Sequence, residues 1–197
     1  MASLQEFFKD SVETAMARQG VAAGDHTAFY VVNLLTLFAR YDALYERGKP
    51  GPGLQPLALL LAAAADSNDR ETRNALLRRV GDTSLFVAGF LGDGFARKLV
   101  DVDYYIDMGG AAYGRLHDNV RGTRDGRAFG TVFAELAEKF RDFVDVLAEI
   151  RDSGKDAAID VLRLYEVWLR TGSRRAARQL REQGLTPNAT LNVTTRH

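Results

Sequence analysis

Large apolar residues recur every three or four positions between Phe129 and Ile150, and this spacing constrains the fold more than any other feature of the chain. Acidic and basic residues fill most of the positions in between. Because an α-helix turns once every 3.6 residues, the pattern places the apolar side chains along one face. The sequence therefore predicts one amphipathic helix over 129–150 that packs against a core.

Similar signals recur along the rest of the chain. Ser3 and Glu6 form the S-x-x-E pattern of a capping box, which predicts a first helix that ends near Gly20. The other predicted helices are 28–45 with Thr27 as its N-cap, 56–65, 70–80, 84–91, 102–120, 156–170 and a last one that Ser173 caps and that ends at Gly184. Between them the sequence predicts loops at 46–53 and 121–126 and a turn at Gly92–Gly94. No segment alternates apolar and polar residues long enough to indicate a strand. We expect an all-α protein with seven or eight helices in one domain, 1–185, and a mobile polar tail, 186–197.

Composition excludes several classes of site. The 197 residues include no cysteine, which excludes disulfides, thiolate metal sites and cysteine nucleophiles. The N-terminus lacks the apolar region of a secretory signal, and the longest apolar run, Leu57 to Ala65, is too short to span a membrane. We therefore expect a soluble, cytoplasmic protein that does not associate with membranes.

The segment from Gly81 to His117 combines glycines, tyrosines and acidic residues in the middle of a helical chain. A glycine inside a helix costs about 1 kcal/mol relative to alanine. Something should offset that cost, such as close helix packing, a turn or a bound group. We therefore expect the recognition site of the protein in segment 81–117.

Two glycines of this segment, Gly110 and Gly114, are four residues apart and flank two alanines. On a helix they would form a smooth face that lets another backbone approach closely. Tight helix crossing is the favoured interpretation. The alternatives are a flat ligand such as a tetrapyrrole or flavin beside Gly109–Gly114, or a subunit interface.

The acidic residues of the segment have structural explanations as well as functional ones. Asp82 or Thr83 would cap a new helix after a break or kink at Gly81–Thr83, although a catalytic carboxylate is the alternative. Asp103 and Asp107 are four apart, so they could share a divalent cation. A solvated face, or pairing with a nearby arginine or lysine, is the favoured interpretation, and no metal site is predicted.

Three tyrosines, Tyr104, Tyr105 and Tyr113, could line a cavity with their hydroxyl groups, because buried tyrosine usually forms a hydrogen bond. His117 continues the side of the helix that carries Tyr105 and Tyr113. We favour a structural role for His117 and His26, as hydrogen-bonded residues at the surface or in the core. The alternative is that one of them is an axial ligand of haem iron.

No specific catalytic motif is present: the chain has no nucleophile elbow, no phosphate-binding loop and no dinucleotide-binding glycine pattern. The sequence therefore leaves open whether the protein is an enzyme, which residues would be catalytic and which cofactor it would use.

The last predicted helix carries the one basic cluster of the chain: Arg174, Arg175, Arg178 and Arg181. These arginines could bind phosphate, nucleic acid or an acidic surface. The zero net charge of the chain argues against strong nucleic-acid binding. A solvated face, or pairing with acids such as Asp142 and Asp145, is the favoured interpretation.

The phrases Leu85–Phe90 after Gly81-Asp82, Tyr104–Gly109 and Ala112-Tyr113 resemble a helical pattern of bacterial proteins without assigned function. The resemblance spans roughly residues 75 to 185. It implies no activity and no site residues.

These observations favour a cytoplasmic helical binding or regulatory protein that could form a homodimer or bind a protein partner. Its candidate ligand-binding residues are Asp82, Tyr104, Tyr105, Asp107, Gly110, Tyr113, Gly114 and His117. The alternative is an enzyme or carrier with a haem-type or metal-type group beside Gly109–Gly114. A third hypothesis is nucleic-acid binding through the last helix.

Overall fold

The computed structural model describes residues 3–45, 57–91, 102–153, 168 and 174–182. Within these ranges the chain forms eight α-helices and no strand, which confirms the all-α class. The helices are α1 (Leu4–Gln19), α2 (Asp25–Tyr45), α3 (Leu57–Asp66), α4 (Arg70–Leu85), α5 (Val102–Val120), α6 (Arg124–Glu138), α7 (Phe140–Ser153) and α8 (Arg174–Glu182). A π-helical segment, Phe86–Leu91, directly continues α4. Within those ranges, no helix is long and apolar enough to cross a membrane.

The predicted capping box starts α1. The Ser3 hydroxyl accepts a 3.2 Å hydrogen bond from the Glu6 amide, and the Glu6 carboxylate accepts one of 2.5 Å from the Ser3 amide. The helix ends at Gly20, whose φ of 66° lies in the left-handed region that glycine adopts without strain. Both ends of α1 are therefore specified by local sequence.

The predicted N-cap of α2, Thr27, is wrong, because the helix begins two residues earlier at Asp25. The carbonyl of Gly24 accepts the amide hydrogens of Thr27 and Ala28. The side chain of Thr27 instead donates a 2.5 Å hydrogen bond to Glu135 of α6. The Thr27 side chain thus ties the first turn of α2 to a distant helix and does not cap α2.

Two residues at the end of α6 hold the loop between α1 and α2. The Glu135 carboxylate accepts a 3.0 Å hydrogen bond from the Gly24 amide, in addition to the Thr27 hydroxyl. Lys139 Nζ donates a 2.6 Å hydrogen bond to the Ala22 carbonyl. The Thr27 hydroxyl is the largest cause that lowers the pKa of Glu135 below its usual value. These contacts tie the N-terminal helices to α6.

Of the break or kink predicted at Gly81–Thr83, the break is wrong, because α4 runs without interruption from Arg70 to Leu85. Asp69 caps its first turn and accepts a 2.8 Å hydrogen bond from the Thr72 amide. Gly81 and Thr83 are both buried inside the domain. Packing thus maintains a helix at a point where the local sequence favours a break.

The π-helical segment replaces the last six residues of the predicted helix 84–91. Its Phe86 and Phe90 rings are stacked with centroids 5.4 Å apart, and Phe86 stacks on Phe38 of α2 at 4.3 Å. The Arg151 guanidinium donates a 3.3 Å hydrogen bond to the carbonyl of Gly89. A π turn widens the hydrogen-bonding loop and disturbs the regular helical pattern, and here an arginine satisfies one of its carbonyls.

The single helix predicted over 129–150 is wrong in its continuity and its start. The chain forms α6 and α7, which are separated by Lys139 with φ −107° and ψ 27°. The first of them begins at Arg124 inside the predicted loop 121–126, because Thr123 acts as its N-cap. The break leaves the apolar faces of both helices directed at the core, where Leu136 and Phe140 are buried.

The described helices share one hydrophobic core. Helix α5 contacts both α4 and α6 extensively, whereas α7 contacts α1 and the π-helical segment. The largest fully buried side chains are Phe8, Leu35, Leu85, Tyr113, Leu136, Phe143, Leu147 and Leu180. The glycine-rich α5 is therefore an interior helix, and its boundaries match the predicted helix 102–120.

Several predictions fall outside the described residues. They are the predicted loop 46–53, the turn at Gly92–Gly94, most of the predicted helix 156–170, the N-cap Ser173 and the tail 186–197. Trp168 is described alone as a half-buried helical residue.

Candidate functional site

A buried carboxylate in α4 connects three helices. Asp82 Oδ1 accepts hydrogen bonds from the Tyr30 hydroxyl of α2 at 2.6 Å and from the Tyr113 hydroxyl of α5 at 2.7 Å. Arg78 Nε donates a 2.9 Å hydrogen bond to the Tyr30 hydroxyl and lies 3.7 Å from Asp82 Oδ2. We name these four residues the carboxylate cluster. They form a connected polar network that runs from the buried Tyr30 and Tyr113 to the exposed Arg78.

Burial governs the electrostatics of the carboxylate cluster. Only 17% of the Asp82 side chain is exposed. Desolvation raises the pKa of Asp82, although both tyrosine hydroxyl groups and Arg78 act in the opposite direction. Burial, together with the charge of Asp82, also raises the pKa of Tyr113 and of Tyr30. The two phenols therefore remain protonated hydrogen-bond donors at physiological pH.

Glycine at position 81 makes room for the ring of Tyr113. A Cβ at Gly81 would lie 2.6 Å from that ring, which is far inside van der Waals contact. Phe133 stacks on the Tyr113 ring with centroids 6.1 Å apart. Tyr113 is fully buried. Gly81, at which the sequence predicts a break or kink, thus serves close helix packing, one of the three compensations expected for the glycines of this segment.

The predicted capping role of Asp82 is wrong, because the residue lies inside α4 and its side chain binds other helices. The predictions from sequence do not include Tyr30 or Arg78 as partners. One signal was present for Arg78, since it precedes Asp82 by four residues and this spacing brings opposite charges together on a helix. Tyr30 lies in an almost wholly apolar helix, so the sequence around it does not indicate that its hydroxyl group binds a carboxylate.

The tightest helix packing of α5 occurs at Gly109 rather than at Gly110 or Gly114. A Cβ at Gly109 would overlap the ring of Phe140 and lie 2.7 Å from the Cβ of Ser84. At Gly110 and Gly114 the nearest atoms belong to Phe140 and Ala137, at ordinary contact distances of 3.7 and 4.0 Å. Side chains of α6 and α7 therefore cover this face of α5.

The predicted tyrosine group is divided between two environments. Tyr104 and Tyr105 are half-buried at the margin of the core, with ring centroids 5.6 Å apart in an edge-to-face arrangement. Tyr113 belongs to the carboxylate cluster in the interior. Asp107 is exposed on α5. A direct hydrogen bond thus joins two of the candidate ligand-binding residues, Asp82 and Tyr113.

His117 and Asp103 of α5 each contact a neighbouring helix. His117 Nδ1 lies 2.8 Å from the carbonyl oxygen of Gly130, which places one ring nitrogen in a contact between α5 and α6. Asp103 forms a surface ion pair with Arg141 at 3.1 Å. Among the described residues, no three acidic or histidine side chains are close enough to hold a metal ion. His26 is exposed at the start of α2.

An open cleft of about 250 Å³ lies between α3, α4 and α5. Its apolar lining includes two leucines and two alanines, and its polar lining includes two arginines on different helices. The lining residues are Leu61, Ala64, Ala65, Arg73, Leu77, Arg115, Asp118 and Asn119. Small-molecule sites combine an apolar lining with a few polar groups and usually have volumes of about 300–1,000 Å³, so this cleft suits only a small ligand.

Hydrogen bonds fix two of the polar side chains in this cleft. Arg73 Nη2 donates a 2.6 Å hydrogen bond to the Ser67 carbonyl in the loop before α4. The Asn119 amide donates a 3.0 Å hydrogen bond to Asn74. Arg115 is exposed and pairs with no carboxylate among the residues described. The cleft therefore combines one anchored guanidinium with one that is free to turn toward a ligand.

The basic cluster lies on α8. Arg175, Arg178 and Arg181 are exposed, whereas Ala177 and Leu180 are buried on the opposite side. Arg174 is the first residue of this helix, and its side chain lies outside the described part of the structure. Neither Asp142 nor Asp145 forms an ion pair with the described side chains of α8, so the predicted pairing is not observed there.

Comparison with known proteins gives no relative: no family model, curated protein or solved structure matches the chain. The resemblance to bacterial helical proteins without assigned function therefore stays an expectation of the sequence.

Proposed function

We propose that this protein is a binding protein, and that it holds a small amphipathic anion in the cleft between α3, α4 and α5. The observation that carries the proposal is the pairing of an apolar floor, Ala64 and Leu77, with the guanidinium groups of Arg73 and Arg115. An apolar body would cover the floor, and a carboxylate or phosphate would lie between the arginines. Guanidinium groups suit both anions, because their donors match the oxygen geometry.

The remaining polar residues of the cleft would refine selectivity. Asp118 is exposed at the rim and would repel a ligand with a second negative charge near it. Asn119 is held by Asn74, which leaves its side-chain oxygen available as an acceptor. A singly charged ligand that also carries a donor group would suit this rim best.

The cleft supports the expectation of a binding protein. The proposed ligand, however, binds to another face of α5 than the sequence suggested. Arg115 is the residue that segment 81–117 contributes, whereas Gly109 and Gly110 face Phe140 of the core. That packing gives less support to a cofactor beside Gly109–Gly114 or to self-association through those glycines.

The test uses hexanoate, hexyl phosphate and the neutral hexanamide as probes of the isotope-labelled full chain. We expect the backbone amide signals of Ala64, Leu77 and Asn119 to shift and saturate with the two anions. Hexanamide should produce much smaller shifts, because it cannot engage the arginines. A preference between the two anions would identify the head group.

A matched pair of variants shows where the anion binds. Arg115→Ala should weaken hexanoate binding several-fold, whereas Arg121→Ala, which removes another exposed arginine outside the cleft, should leave it unchanged. The proposal is wrong if none of the three probes shifts the cleft signals, or if both variants weaken binding equally.

A further inference from the structure

The exposed face of α8 carries three arginines. Arg175, Arg178 and Arg181 recur every third residue, so they follow one another along the same side of the helix. Each is exposed, and none has an ion-pair or hydrogen-bond partner within the described residues. We name these three residues the arginine row.

Several other arginines of the domain are engaged by the chain itself. Arg18 pairs with Glu149 at 3.5 Å, and Arg141 pairs with Asp103 at 3.1 Å. Arg151 donates to the carbonyl of Gly89 and pairs with the adjacent aspartate. The arginine row is therefore a set of positive charges that contacts among the described residues leave available.

The helix that carries the row is fixed to the domain. Leu180 is fully buried and belongs to the hydrophobic core, and Ala177 is 6% exposed. Because both apolar residues face inward, α8 has no described apolar side chain to insert into a lipid surface. The fixed backbone also reduces the entropy that is lost when the arginines bind a partner.

We infer that the arginine row binds the phosphate backbone of a nucleic acid. Three residues of helix rise about 4.5 Å, so the three guanidinium groups span about 9 Å, which is comparable to a few consecutive phosphates. Arginine is suited to this contact because its planar donors engage a phosphate in pairs. The zero net charge of the whole chain limits long-range attraction, so the expected binding is weak and sensitive to salt.

The test measures fluorescence anisotropy of a labelled 20-nucleotide DNA single strand, the corresponding RNA and the DNA duplex. Three phosphate contacts predict that raising salt from 50 to 200 mM lowers affinity by roughly 20- to 40-fold. The triple variant Arg175→Gln, Arg178→Gln and Arg181→Gln should bind about tenfold or more weakly at 50 mM salt and lose most of the salt dependence.

The control variant removes three other exposed cations, Lys9→Gln, Arg121→Gln and Arg124→Gln, and so has the same net charge. It should bind like the unchanged protein, and both triple variants should retain the original melting temperature. Equal losses in the two variants would reduce the interaction to general charge attraction and overturn the inference. Absence of binding to all three nucleic acids, or equally tight binding to polyglutamate, would also overturn it.

Discussion

The hydroxyl of Tyr113 and the carboxylate of Asp82 form a 2.7 Å hydrogen bond that joins α5 to α4 inside the domain. The same two helices supply Arg115 and Arg73 to the cleft. The carboxylate cluster therefore fixes the relative position of the helices that would hold the ligand, although it does not line the cleft itself.

Removal of the buried phenol should weaken the fold. Tyr113→Phe deletes one of the two hydroxyl donors to Asp82 Oδ1 and leaves the ring in place. We expect the free energy of unfolding in urea to fall by about 1.5–3 kcal/mol, the range for a hydrogen bond to a charged group. Tyr104→Phe, at a half-buried position, is the control and should change stability by less than about 0.5 kcal/mol. Equal effects of the two changes would contradict this role of Tyr113.

The raised pKa of Asp82 predicts the sign of a pH effect. Because the pKa in the folded state exceeds the ordinary value of 3.8, the folded chain retains the proton at pH values where the unfolded chain has released it. The contribution of Asp82 to stability is thus largest at low pH and declines as the pH rises from 3.8 through the folded-state pKa.

This prediction is measured against Asp82→Asn, which cannot ionise. Urea unfolding of both proteins across the acidic range should show the unchanged chain losing stability relative to the variant as the pH rises. A relative gain would mean that the tyrosine hydrogen bonds and the charge of Arg78 outweigh desolvation and lower the pKa of Asp82.

Glu135 should show the opposite pH dependence. Its pKa is lowered, chiefly by the Thr27 hydroxyl, so its stabilisation is present above the ordinary value of 4.5 and disappears as the pH falls through the folded-state pKa. At pH 7, Glu135→Ala should destabilise the fold by about 1 kcal/mol, the typical effect of a lost helix cap. Glu138→Ala, at an exposed position of the same helix, should have little effect. Thermal or urea unfolding at pH 7 and at pH 3 would measure the stability of both variants. A stability loss in Glu135→Ala that is equally large at pH 3 would refute the assignment.

Two adjacent glycines provide a matched test of packing. Gly109→Ala places a methyl group against Phe140 and Ser84, so we expect a loss of about 1–3 kcal/mol from overpacking. Gly110→Ala has only contacts of 3.7 Å or longer and should gain about 0.5–1 kcal/mol from the higher helix propensity of alanine. Calorimetric melting of both variants measures the difference, and a shift of the same sign in both would contradict the structure.

Sequence periodicity predicts the helices whose ends carry local signals. The capping box at Ser3, the end of α1 at Gly20 and the extent of α5 agree with the structure, because these features depend on neighbouring residues. Local signals mislead at Gly81 and Lys139. At Gly81 a ring from α5 fills the space beside the glycine and maintains the helix. At Lys139 the helix is interrupted, although the apolar spacing of the sequence continues.

The candidate site is harder to predict from the sequence. Asp82 and Tyr113 are recognisable because they stand out in an unusual segment, but their partner Tyr30 lies 52 residues from Asp82 along the chain. Contacts at such separations depend on how helices pack, which a single sequence does not specify. The cleft is harder still, because its lining comes from three helices and no short motif unites Leu61, Arg73 and Arg115.

The π-helical segment Phe86–Leu91 makes this part of the chain sensitive to the deletion of a single residue. A π turn holds one residue more than the α-helical turn it replaces, so deleting a single residue here would restore a regular helix. Each residue of an α-helix turns the chain by about 100°, so a deletion after Phe86 would rotate Phe90 away from the Phe86 ring and leave Phe86 stacked on Phe38. A chain one residue shorter would then need a side chain from another position to cover the exposed side of Phe86.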